Sequence, residues 1–168
     1  IASSDGKQIF IHKGMGLVAH VFGEEDLKKL KGHLAIGHNR YSTSGDSVSL
    51  HAQPILEKVG QNNSLAVAHN GNLPSIKKIE EFLQKEKIST KGLNDSEMIA
   101  KAIAVFMKKG LSIEDAIKGA YPLFSGVFCL LIMDEKNIVA VRDSFGIRPL
   151  CLGKLNGGFV VASETCAL

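Results

Sequence analysis

The chain has 168 residues, 45% hydrophobic and 22% charged, with 20 Lys and Arg against 17 Asp and Glu. That length and balance fit one globular domain with a buried core. A formal charge of +3 carried by dispersed lysines is too weak for a nucleic-acid surface.

No apolar run approaches the roughly 18 residues of a membrane span, and no signal peptide opens the chain. Three cysteines, Cys129, Cys151 and Cys166, lie in apolar surroundings and form no Cys-x-x-Cys pair. They read as buried free thiols in a reducing compartment. The expectation is a cytoplasmic protein that binds neither membrane nor nucleic acid. The chain opens at Ile1 inside an apparent strand tail and stops at Leu168 just after another. It is therefore expected to be a fragment, one domain over 1–168 cut at both ends.

Asp5-Gly6 is a hairpin signal, and Gln8 to His12 reads as a strand. Gly14-Met15-Gly16 is a bend rather than a phosphate loop, because no helix is expected straight after it. Glu24, Glu25 and Asp26 open a short helix that Lys28, Lys29 and Lys31 close before Gly32. Leu34 to Arg40 is a second apolar strand. Its Leu34-Ala35-Ile36-Gly37-His38-Asn39 echoes Leu65-Ala66-Val67-Ala68-His69-Asn70. The echo suggests two neighbouring central strands, buried on both faces, that deliver polar residues to one sheet edge. Between them Tyr41 to Pro54 has loop composition and is long enough to fold over a ligand.

Ile76, Ile79, Phe82 and Leu83 lie at helical spacing. Asn94 with Glu97 three residues on makes a capping box for a second amphipathic helix. A third helix runs from Ser112 to about Tyr121. Strands return over Val127 to Met133, Ile138 to Val141, Leu150 to Leu152 and Phe159 to Ala162. Strands and hairpins that flank a helical middle indicate an α+β fold of antiparallel sheets with helices outside.

The chemistry gathers at the strand ends. Leu65 to Ala68 runs straight into His69, Asn70, Gly71 and Asn72, and a rigid strand ending in amide donors suits a developing oxyanion. An ordinary Asn-Gly turn is the plainer alternative. Arg40 and Asp95 together could hold the α-carboxylate and α-amino group of a free amino acid. Singly, Arg40 reads equally as a surface ion pair and Asp95 as a helix cap. His38 and His69 read equally as hydrogen-bonded core residues, and His38 and His51 lack metal-ligand spacing.

Gly37-His38-Asn39-Arg40-Tyr41-Ser42-Thr43, Ala68-His69-Asn70-Gly71-Asn72-Leu73 and Asn94-Asp95-Ser96-Glu97 resemble the glutamine-binding signatures of class II glutamine amidotransferases. These are N-terminal-nucleophile hydrolases with a four-layer α/β/β/α sandwich. Lys13 to Val18, Ala52-Gln53-Pro54, Val141-Arg142-Asp143, Gly146-Ile147-Arg148-Pro149-Leu150 and Val161 to Glu164 extend the resemblance along nearly the whole chain. The likeness is greatest to the members that pass ammonia to phosphoribosyl pyrophosphate in purine biosynthesis. Glucosamine-6-phosphate synthase, with Trp-Ala-Thr-His in place of Tyr41-Ser42-Thr43-Ser44, is the alternative, as is a glutamine-binding module without chemistry.

The resemblance implies that Asn70 and Gly71 form an oxyanion hole. It makes Arg40 the holder of the glutamine carboxylate and Asp95 of its amino group, with Thr43 and His38 in support. It also implies a Cys nucleophile at the mature N-terminus, where this chain has Ile1. That Cys and a phosphoribosyltransferase domain would both lie outside Ile1 to Leu168, so the stretch alone is expected to be inactive. No cofactor is expected in this domain. Magnesium and an iron–sulfur cluster belong, if anywhere, to the missing part, and the whole protein is expected to be a homo-oligomer. Ser144-Phe145 departs from the family's usual Pro-His.

Overall fold

The computed structural model describes residues 1–39, 51–61, 63–155 and 157–168. Its strands are β1 (Ala2–Ser4), β2 (Ile9–Ile11), β3 (Leu34–Ile36), β4 (Ile55–Lys58), β5 (Ser64–Asn72), β6 (Val127–Met133), β7 (Ile138–Arg142), β8 (Cys151–Leu155) and β9 (Gly158–Ala162). The helices are α1 (Val18–Val21), α2 (Glu24–Lys29), α3 (Lys77–Lys85), α4 (Asp95–Lys108) and α5 (Ile113–Ala120). The strands form one sheet in the order β2-β1-β3, one in the order β4-β5-β6-β7, and a β8-β9 hairpin, all antiparallel. This is the expected α+β class.

Alternation along β5 and β6 explains the layering, since successive side chains face opposite ways. Leu65 and Val67 of β5 and Phe128, Leu130 and Ile132 of β6 join the main core with Ile79 and Leu83 of α3, Met98, Ile99 and Ile103 of α4, and Ile117 of α5. Ala66, Ala68 and Met133 face the other way and join Ala2 and Ile36 of the first sheet. One face of the large sheet thus carries helices and the other carries a second sheet. The two alanines on β5 let that second sheet approach.

The capping box at α4 is formed as read: Asn94 Oδ1 accepts the Glu97 N–H at 2.9 Å, and Glu97 Oε2 accepts the Asn94 N–H at 2.8 Å. Ser112 likewise caps α5. The longest helix, α4, has 14 residues, and no helix among the described residues is long and apolar enough to cross a membrane.

Three expectations are corrected. The echoing segments are not neighbouring strands of one sheet: β3 lies at the edge of the small sheet and β5 inside the large one. An apolar run reports burial but not which sheet the strand joins, and Ala35 of β3 is in fact exposed. The strand beside β3 is β1, whose Ser3 and Ser4 are buried because their hydroxyls bond to Lys31 O and Glu135 O. Next, a single-turn helix, α1, follows Gly14-Met15-Gly16 almost at once. Finally, of the cysteines only Cys129 is buried; Cys151 is half-buried and Cys166 exposed.

Candidate active site

β4 begins only at Ile55, while β5 runs on to Asn72. Beyond Val67, which pairs with Ile55, the β5 edge is therefore bare of backbone partners on that side. Residues 69, 71 and 73 point their N–H groups to this side, because main-chain groups alternate along a strand. Side chains take over from the missing ladder. The His69 N–H donates to Gln53 Oε1 at 2.7 Å, and the Leu73 N–H to Asp95 Oδ2 at 3.2 Å. Between them stands the Gly71 N–H, and its cross-strand position opposite Phe128 is of the kind that exchanges no hydrogen bonds with β6. Phe128 turns its own N–H and C=O the other way, to Asp143.

The edge opens into a cavity of about 370 Å³ lined by His38, Asn39, Gln53, His69, Asn70, Gly71, Asn94, Asp95, Ser96 and Arg148. On its far side Asn70 also lines a larger cavity of about 650 Å³ between the sheets, with Ala68, Cys129 and Arg148. Only glycine fits at 71: a β-carbon there would lie 2.2 Å from Val127 O, 2.7 Å from Phe128 Cα and 3.0 Å from His69 Nε2.

Asp95 is the first residue of α4, and the capping role falls to Asn94. Its Oδ1 accepts the Ser96 N–H at 2.8 Å and the Ser96 hydroxyl at 3.3 Å. The carboxylate is 23% exposed, enough to meet a ligand in the cavity. His38 Nε2 lies 3.1 Å from His69 O, so it braces the same strand from the first sheet's side. His69 is buried, its Nδ1 2.9 Å from Ser96 Oγ and 3.8 Å from Asp95 Oδ2. Burial pushes the pKa of its imidazole below the ordinary value, and Asp95 opposes that shift while His38 and Arg148 add to it.

Of the residues singled out from sequence, His38, Asn70, Gly71 and Asp95 therefore meet at one cavity. Arg40 and Thr43 lie outside the described residues. Sequence reading passed over Gln53, Ser96 and Arg148 as site residues. Gln53 lies just before β4 begins, and no local pattern marks its side chain as the replacement for a ladder bond. Ser96 lies inside the Asn94-Asp95-Ser96-Glu97 signature, in the second position of a capped helix, but helix capping and spacing give it no role of its own. Cys129 is the cross-strand partner of Asn70. Its thiol faces Arg148 O and Pro149 O at 3.6 Å, and burial raises its pKa. It is thus a poor thiolate source.

A strand-end amide beside a carboxylate that opens a helix offers a donor to a carbonyl oxygen and an acceptor to an ammonium group in one cavity. Residues 38–168 match the model of the glutamine amidotransferase domain family, and the chain belongs to that family. Its relatives narrow the class. It is 38% identical over 168 residues to the amidophosphoribosyltransferase of Bacillus subtilis (99% of this chain, 35% of the relative) and 42% identical over 177 residues to that of Synechocystis (100% and 34%). Among solved structures, the B. subtilis glutamine phosphoribosylpyrophosphate amidotransferase complexed with ADP and GMP superposes with a TM-score of 0.85 at 36% identity, over 99% of this chain and 35% of that one. A structure described as the allosteric regulatory enzyme of purine biosynthesis gives 0.88 at 37%, with the same coverage. The chain thus spans about a third of the length of the curated relatives it matches.

Proposed function

We propose that this chain is the glutamine-hydrolysing domain of an amidophosphoribosyltransferase. In that enzyme, ammonia from glutamine is passed to phosphoribosyl pyrophosphate to give phosphoribosylamine. The observation that carries the proposal is the bare stretch of β5 edge. There the Gly71 N–H stands beside Asn70, between two N–H groups already taken by Gln53 and Asp95.

On this reading a thiolate attacks the side-chain carbonyl carbon of glutamine. The Gly71 N–H and the Asn70 side-chain amide donate to the oxygen as it gains charge. The tetrahedral adduct takes back on its nitrogen the proton that the thiol gave up, expels ammonia and leaves a glutamyl thioester, which water hydrolyses to glutamate with return of the thiol. Asp95 receives the substrate ammonium. Arg40 would take the carboxylate, and Asn39, next to it in sequence, lines the cavity. None of the three cysteines suits the nucleophile: Cys129 is buried and held protonated, Cys151 lies in β8, and Cys166 follows β9. We take the nucleophile to lie outside residues 1–168, so this stretch alone releases no ammonia. Phosphoribosyl pyrophosphate, magnesium, any iron–sulfur cluster and the oligomer interface belong to the rest of the protein on this proposal.

The test is ammonia release from glutamine by the full-length protein. Asn70→Ala should lower kcat about 10²–10³-fold, the usual effect of losing one oxyanion donor. Synthesis driven by added free ammonia should be unchanged. A kcat within a few-fold of the parent would overturn the role of Asn70.

A further inference from the structure

Resting on the glutaminase reading, we propose that Ser96 and Gln53 are positioning residues that aim the Gly71 N–H through His69, held as a neutral imidazole with its proton on Nδ1. The argument is a hydrogen count around one hydroxyl. Ser96 Oγ lies 3.2 Å from Gln53 Nε2, 2.9 Å from His69 Nδ1 and 3.3 Å from Asp95 Oδ1. An amide NH₂ only donates and a carboxylate only accepts, and a hydroxyl has one proton to give. The Ser96 proton therefore goes to Asp95. The oxygen accepts from Gln53, and its remaining contact is filled by an Nδ1–H of His69.

The other end of the ring agrees. His69 Nε2 is buried and has no hydrogen-bond partner among the described residues. It closes on Gly71 so tightly that a β-carbon there would come within 3.0 Å of it. A buried N–H without an acceptor forfeits its hydrogen bond outright, whereas a lone pair there keeps a weak contact with the Gly71 Cα–H. Both ends of the ring thus choose the same tautomer.

The geometry then transmits in two ways. Gln53 fixes the main chain at 69 by accepting its N–H at 2.7 Å. Ser96 fixes the ring, and the ring's far edge rests on the backbone of residue 71. Gln53 and Ser96 come from separate elements, the approach to β4 and the first turn of α4. Together they tie the oxyanion strand to the helix that bears Asp95.

Two measurements on the full-length protein test this. In the first, Ser96→Ala lowers kcat for ammonia release about 10–100-fold, as a misaimed donor does. KM for glutamine stays within about threefold, and Ser96→Thr, which keeps the hydroxyl, recovers most of the loss. An unchanged kcat, or a loss confined to KM, overturns the proposal. In the second, the ring ¹⁵N spectrum of labelled His69 in the unaltered protein at pH 7 shows a proton on Nδ1 alone. A proton on Nε2 overturns the proposal, whether or not Ser96→Ala folds. If the unaltered protein releases no ammonia from glutamine, the glutaminase reading fails, and the ring spectrum still decides the hydrogen-bond arrangement.

Discussion

A buried histidine beside a carboxylate sets two effects against each other at His69. Loss of water disfavours the imidazolium, and Asp95 at 3.8 Å favours it; His38 and Arg148 face the ring and side with burial, so the pKa is lowered. The sign for stability follows. The unfolded chain protonates this histidine near 6.5, while the folded one resists, so below that value the unfolded state binds more protons. Stability should therefore begin to fall as pH drops through about 6.5 and stop falling below the folded value. Thermal unfolding of the protein and of His69→Gln, followed from pH 8 to 5, checks this. The parent should lose more Tm across that window than the variant, and parallel curves would contradict it. Gly71 shows the opposite kind of legibility. The sequence marks it as a turn glycine, yet its constraint is crowding by Val127 and Phe128 on the next strand, which no local pattern reveals.

At the scale of elements, the longer helices were legible because capping and periodicity are local, whereas the single turn of α1 was not. Asn94 and Glu97 make both bonds of the box, and the apolar faces of α3 and α4 are those the spacing marks. The box also does structural service for the site, since it fixes the start of α4 and so places Asp95 and Ser96 against β5. Asn94→Ala removes the acceptor for the Glu97 N–H and should cost about 1 kcal/mol, within the usual range of about 0.5–2 for such caps. Urea unfolding checks it, with the midpoint lowered and the slope unchanged. A loss below about 0.3 kcal/mol would mean that other contacts hold the helix start without the cap. The strand ends were less legible. That β4 begins only at Ile55 while β5 runs on, and that Gln53 fills the gap, depend on the chain returning from elsewhere. The pairing of β3 with β1 rather than β5 likewise rests on buried serines whose hydroxyls find carbonyls 28 and 131 residues away.

At the scale of the whole molecule, the site exists because two sheets stack, with His38 reaching from the residues after β3 to brace β5. What sets their approach is the small side chains on the inner face of β5. Ala66 is fully buried there with Ala2, Ile36 and Met133. Its partner across β4 is Leu56, which shares its face yet is 39% exposed, so the small sheet covers β5 and not β4. Ala66→Leu forces extra methylenes between the layers and should cost about 1–3 kcal/mol. Leu56→Ser, one strand away on the same face but outside the overlap, should stay within about 1 kcal/mol, the range of ordinary surface changes with some lost apolar cover. The pair measured by urea unfolding separates stacking from hydrophobicity alone. Equal losses would mean that the inner face of β5 is not where the two sheets meet. On the proposed function, a loss at Ala66 alone should also lower glutaminase kcat in the full-length protein, because spreading the sheets moves His38 away from His69 O and loosens the strand that carries Gly71.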